Sequence, residues 1–221
     1  MTSKILPDLD ISQACRVNLN DAARDWYYTQ GCQEHNALLV PTHTQALIDN
    51  LQARNGATWS YGGYLEDRSC LLRGSYLDAT GGYIHLGIDI NVPPGVRVVA
   101  PFNATIVNMF NDGDEPQGWG LRLILRPADT YLSYLVLGHV AGASVKVGDY
   151  VTAGEEIAHI AAPPFNGNWF PHLHIQQIAS DVATIYERDN YDTLDGYGHP
   201  SELEKLQRDY PDPSWLVVAT T

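Results

Sequence analysis

The chain has 221 residues, of which 44% are hydrophobic, 10% aromatic and 18% charged, a composition that excludes a disordered or fibrous protein. Its 13 Lys and Arg against 26 Asp and Glu leave a formal charge of -13, which repels phosphate backbones and anionic membrane surfaces. Neither nucleic acid nor a membrane is expected as a partner.

The first sixty residues read as a helical N-terminal extension. Leu19 to Thr29 and Thr44 to Arg54 carry helix-compatible spacings, with Asn20 or Asp21 as cap of the first. From about Tyr61 the texture changes to short β-rich runs broken by Gly, Pro and Asn, which predicts a mainly β domain with an antiparallel sheet over 61–180. Arg97 to Pro101 and Thr105 to Phe110 are strands. Leu121 to Arg126 sets Leu121, Leu123 and Leu125 on one face against Arg122 and Arg126 on the other, so one face of that strand is expected to be buried. Tyr131 to Leu137, the surroundings of Val151, Ile157 to Ala161 and His172 to Ile178 continue the series. Asp112-Gly113, Gly148-Asp149 and Asn166-Gly167 supply turns. The remaining 181–221 form a loop-rich tail packing on the domain, with one or two helical turns at Glu202 to Arg208.

Four of the eight histidines fall with Asp89 into three compact arrangements: His85-Leu-Gly-Ile-Asp89, Gly138-His139-Val140 and Pro171-His172-Leu173-His174. Side chains alternate across a strand, so His172 and His174 share a face, as do His85 and Asp89 if their segment is extended. Both pairs can then converge on one ion. Imidazole nitrogen and carboxylate oxygen suit zinc, and a catalytic zinc needs only three protein ligands. Such an ion supports hydrolysis at neutral pH without a protein nucleophile.

In order and context these motifs resemble those of the lysostaphin-type zinc metallopeptidases, a family of peptidoglycan endopeptidases. His85-Leu-Gly-Ile-Asp89 fits the family's first element, and Gly95-Val-Arg-Val-Val-Ala-Pro101 the next. Gly118-Trp-Gly-Leu-Arg-Leu-Ile-Leu125 is similar to its glycine-led strand, and His139 stands at its lone histidine. Val145-Lys-Val-Gly-Asp-Tyr-Val-Thr-Ala-Gly154 resembles its following turn, and His172-Leu-His174 closes the series. The resemblance implies one zinc ion held by His85, Asp89 and His174, with His139 and His172 as catalytic histidines. It also implies a peptide or peptidoglycan-fragment substrate. Which of His139 and His172 accepts the proton stays open, because either division suits the sequence. Val140 replaces the family's usual Leu, and Phe102-Asn-Ala104 stands where a Gly is usual; neither change removes a ligand. A narrower likeness joins Gly63-Tyr-Leu-Glu-Asp-Arg68, Asn166 to Gln176 and Pro211-Asp-Pro213 to the peptidase-like domain of cytosolic phosphotransferase and aminotransferase fusions.

Arg68 and Arg73 can offer a fork to a substrate carboxylate or simply pair with an acid. Trp119 and Trp169 flank the motifs as core or rim residues. His35, His43, His159 and His199 have no motif context, and Cys70 reads as a buried thiol. The alternatives to an enzyme are weaker. A silent binding module would be expected to have lost a ligand, and a lipoyl-type carrier needs a lysine at a hairpin tip, where Lys146 does not stand. No stretch approaches the ~18–20 apolar residues of a membrane span. The first thirty residues lack the pattern of an export signal, and Cys15, Cys32 and Cys70 form no metal-type spacing, so a cytoplasmic location is expected.

Overall fold

The computed structural model describes residues 3–30 and 36–217; Cys32 and His35 lie outside the described residues. Both N-terminal helices are present, α1 at Leu19–Gln30 and α2 at Pro41–Arg54. In α1 the residues Leu19, Ala23 and Tyr27, four apart, turn one face inward. Its cap differs from the expected one. Asn18 Oδ1 accepts the N–H of Asp21 at 2.8 Å, whereas Asn20 lies inside the first turn and accepts from the N–H groups of Cys70 and Leu71. The second helix starts three residues early because Pro41 occupies its first turn, where a missing N–H costs nothing. The extension also carries a strand that alternation did not reveal: β1 (Ala14–Arg16) runs parallel to β2 (Trp59–Gly62), tying the N-terminus into the sheet.

The fold is mainly β, and apart from that pair the sheet is antiparallel, as expected. From β2 it passes to β4 (Ile88–Asn91), β11 (Leu173–Ile178), β8 (Tyr134–Ala141), β7 (Leu121–Pro127), β6 (Ala104–Asn111) and β9 (Tyr150–Val151). A further strand, β10 (Glu156–Ile160), pairs with β8 and with β5 (Arg97–Val99). Separately, β3 (Ile84–His85) pairs with β12 (Tyr197–Gly198), a short strand of the tail. Among the described residues there are three further, short α-helices: α3 (Tyr76–Thr80), α4 (Ser180–Tyr186) and α5 (Leu203–Asp209). The strand expected from Tyr131 begins instead at Tyr134, because Asp129 Oδ1 accepts the N–H of Tyr131 in a turn.

Both faces of the central strands are buried, which hides the simple alternation of a half-solvated sheet. Ile88, Ile90, Leu123, Leu125, Leu135, Leu137, Leu173 and Ile175 pack into one core, completed by Ile5, Leu6, Leu216 and Val217 from the two ends of the described chain. Ile124, Tyr134, Val136 and Ile178 face the other way and are covered by Tyr191, Leu194, Leu206 and Tyr210 of the tail. This corrects the reading of β7. Arg126 is exposed, but Arg122 is only 2% exposed, its guanidinium reaching Asn108 Oδ1 and the carbonyl of Tyr191 at 3.0 Å. The tail supplies the acceptor that a solvent-facing reading leaves out. Asp89 and His174 lie on this second face, between the sheet and the tail.

Candidate metal centre

Five strands and turns bring the expected residues to one cavity. His85 ends β3, Asp89 lies in β4 and His174 in β11; Asp89 and His174 are directly paired across the two strands. His172 stands one residue before β11, and His139 lies in β8. All five are buried. The segment between His85 and Asp89 is not continuous strand, so shared parity does not bring them together. Instead the chain bends at Leu86-Gly87, where a Cβ on Gly87 would stand 2.3 Å from the Ile175 carbonyl and 2.8 Å from the His174 ring. Only glycine lets the two ligand-bearing strands approach this closely. His139 is aimed inward by a register shift between β7 and β8 and takes a left-handed φ of 63°, a conformation that a non-glycine residue keeps only where its surroundings impose it.

His85 Nε2 lies 3.0 Å from His174 Nδ1. Asp89 Oδ1 lies 3.4 Å from the former and 3.2 Å from the latter. Ligand atoms at zinc-like bond lengths on a tetrahedron are separated by roughly 3.3 Å, so the three donors fit the edges of such a site; among the described residues they form the one cluster of this kind. The outer partners set each ring's donor nitrogen. His85 Nδ1 faces the Gly63 carbonyl at 3.0 Å, and His174 Nε2 faces Gln176 Oε1 at 3.0 Å. In each case the N–H points away and the lone pair faces the cluster. The same logic holds for His139, with Nδ1 2.9 Å from the Asn166 carbonyl, and for His172, with Nδ1 2.7 Å from the Phe170 carbonyl. Their Nε2 atoms remain for chemistry.

Electrostatics keep this centre ready for a cation. Burial opposes the charge of Asp89, but the polar contacts of the surrounding histidines, His85 first, and the Arg68 guanidinium outweigh it and hold the carboxyl well below the usual carboxylate range. Arg68 Nη1 lies 2.7 Å from Asp89 Oδ2, leaving Oδ1 to the histidines. Burial, with Arg68 adding to it, pushes His85 down to about 3. Burial likewise lowers His139 and His172, each further disfavoured by neighbouring histidines. His85, His139 and His172 are therefore neutral at pH 7, the form that ligates metal and accepts protons.

The cavity, of about 190 Å³, is walled by Arg68, Leu71, Leu72, Tyr76, Trp119, Trp169, Phe170 and the tail residues Leu194 to Tyr197 as well as the five. Arg68 is a buried partner of Asp89 and Glu66 and does not stand free for a substrate carboxylate. Arg73 is exposed and lies over Tyr27. Trp119 and Trp169 are half-buried wall residues. Helices α1 and α2 contribute no lining; they pack behind Leu71, Leu72 and Phe170. Tyr197 joins the site unheralded by any motif, its ring 5.3 Å from His85 and its phenol pushed up to about 12 by burial. It sits in a segment with no motif signal. Gln176, two residues after His174 on the same strand face, was recoverable by alternation. His159 is half-exposed beside Glu156, His43 and His199 lie outside the cavity, and Cys70 is half-buried.

Residues 83–184, which carry all five of these side chains, match the model of Peptidase family M23. Among solved structures the chain is similar to the catalytic domain of lysostaphin from Staphylococcus simulans, 26% identical over 56% of this chain and 80% of that one, with a TM-score of 0.38. It is similar to LytU at 23% identity, covering 61% of this chain and 79% of that one, with a TM-score of 0.38. A zinc-containing peptidase from Vibrio cholerae is 23% identical over 42% of this chain and 26% of that one, with a TM-score of 0.36. No curated protein matches.

Proposed function

We propose that the chain is a zinc metallopeptidase that hydrolyses an amide bond in a short peptide or a peptidoglycan-derived fragment. The observation that carries this reading is the triangle of His85 Nε2, Asp89 Oδ1 and His174 Nδ1, with edges of 3.0 to 3.4 Å, facing a cavity shared with two further neutral histidines. His85, Asp89 and His174 are the residues that would hold zinc. The metal supplies a Lewis acid that polarises the scissile carbonyl and acidifies water. The rings of His139 and His172 lie 4.4 Å apart by centroid. Two buried imidazoles this close do not both ionise, so the neutral pair takes up one proton at most. One Nε2 accepts it from water as the C–O bond forms, and the pair returns it to the leaving nitrogen as the C–N bond breaks. Tyr197, its proton held by burial, remains a hydroxyl donor at the wall.

We further infer action inside the cytoplasm on a soluble substrate, which the charge of -13 favours over an anionic cell wall. The test is incubation of zinc-loaded protein, separately, with short peptides including wall stem peptides and with purified wall sacculi, using His172→Ala as blank. Peptide cleavage that vanishes in the blank is the expected result. Efficient release of fragments from intact sacculi would return the chain to a wall-lytic role.

A further inference from the structure

We propose that the tail closes one end of the cavity and that Asp195 there binds the free amino group of the substrate, which makes the site specific for the end of a peptide. This rests on the peptidase reading and names the substrate class within it. The segment Leu194 to Gly198 is held as a strap over the metal centre. Leu86 donates its N–H to the Gly196 carbonyl at 2.9 Å, Gln176 Nε2 donates to the Asp195 carbonyl at 3.2 Å, and β12 pairs with β3 beside His85. Leu194 is buried. The strap meets the opposite wall: a Cβ on Gly196 would stand 3.5 Å from the Trp119 ring and 3.7 Å from the His174 ring. Trp119 itself lies 5.4 Å by centroid from His174. A bound chain therefore has no path past His174 on this side, and its end is placed beneath the strap.

The charge on that side belongs to Asp195. Its Oδ1 accepts the N–H groups of Gly196 at 2.7 Å and Tyr197 at 3.3 Å, which fixes the carboxylate of a residue that lines the cavity. Among the described residues Asp195 forms no ion pair, whereas Arg68, the cation of the cavity wall, is already bound by Asp89 and Glu66. Asp195 is exposed, so this fixed, unpaired carboxylate stands at the open edge of the cavity, where it favours a cation, and an ammonium is the cation that a peptide end provides. Leu71, Leu72, Tyr76 and Phe170 line the remainder, so an apolar side chain accompanies that ammonium.

The experiment compares matched short peptides with free and with acetylated amino termini, on zinc-loaded wild type and Asp195→Asn. Wild type is expected to cleave the free peptides at least ten times more efficiently by kcat/KM. In Asp195→Asn that preference should disappear through a rise in KM for the free peptides, with zinc content unchanged; a preference kept in full by Asp195→Asn would overturn the assignment to Asp195. Equal cleavage of both sets by wild type would overturn amine recognition while leaving the peptidase reading intact. Cleavage of neither set, with zinc bound, would overturn both.

Discussion

Arg68 Nη1 and Asp89 Oδ2 form a 2.7 Å ion pair in which both side chains are buried. The pair divides the carboxylate, giving one oxygen to the guanidinium and the other to His85, His174 and, at 3.5 Å, His172 Nε2. A buried charge left without its partner costs about 3–5 kcal/mol. Arg68→Met should destabilise the metal-free protein by that order, measured by urea unfolding. Zinc saturation should recover part of the loss, because the ion then compensates Asp89. An equal loss with and without zinc would mean that Asp89 does not face the metal.

Acid should destabilise the metal-free protein well before carboxylates protonate. His85, His139 and His172 have lowered folded-state values, with His85 at about 3, against ~6.5 when unfolded. Between these limits the unfolded chain binds more protons, so stability is complete above about pH 6.5 and falls as the pH drops below it. Each histidine contributes a slope of up to about 1.4 kcal/mol per pH unit. Asp89 acts lower, adding stability above its unfolded value of ~3.9 and losing it as the pH falls through its depressed folded value. Unfolding free energies of metal-free protein at pH 7, 6 and 5 check the sign.

Gly87→Ala should impair the centre without touching a ligand. Its Cβ would meet the Ile175 carbonyl at 2.3 Å and the His174 ring at 2.8 Å, so β4 and β11 must separate. Overpacking of this kind costs about 1–3 kcal/mol. Zinc titration should show at least a tenfold weaker affinity, with a smaller change in unfolding midpoint when zinc is absent.

The ligand-bearing motifs were legible in the sequence because each is local. His172-Leu-His174 needs only strand alternation, and Gly113, Gly148 and Gly167 have the positive φ that their turns require. What sequence reading lost was long-range. Arg122 reads as solvent-facing until Tyr191, 69 residues later, provides its acceptor. The approach of His85 to Asp89 depends on a bend at Gly87, not on parity, and on Arg68 from another segment. Tyr197 and Asp195 reach the cavity only because β12 pairs with β3, and two-residue strands carry no periodicity to detect.

His139→Ala and His172→Ala should each keep zinc while losing ~10² to 10⁴-fold in turnover, the usual worth of a positioned proton-transfer group. Comparison of single and double variants adds a further check. If the two share one proton, the double variant should be little worse than either single one, as seen for groups that act as a unit.

The most direct test of the metal centre is elemental analysis of purified wild type, His85→Ala and His174→Ala after equilibration with zinc and removal of excess, with circular dichroism to confirm folding. The account predicts one zinc per wild-type chain and less than a tenth of that in both folded variants. Full zinc retention by either variant would contradict the assignment of that histidine to the centre, and retention by both would remove the centre itself.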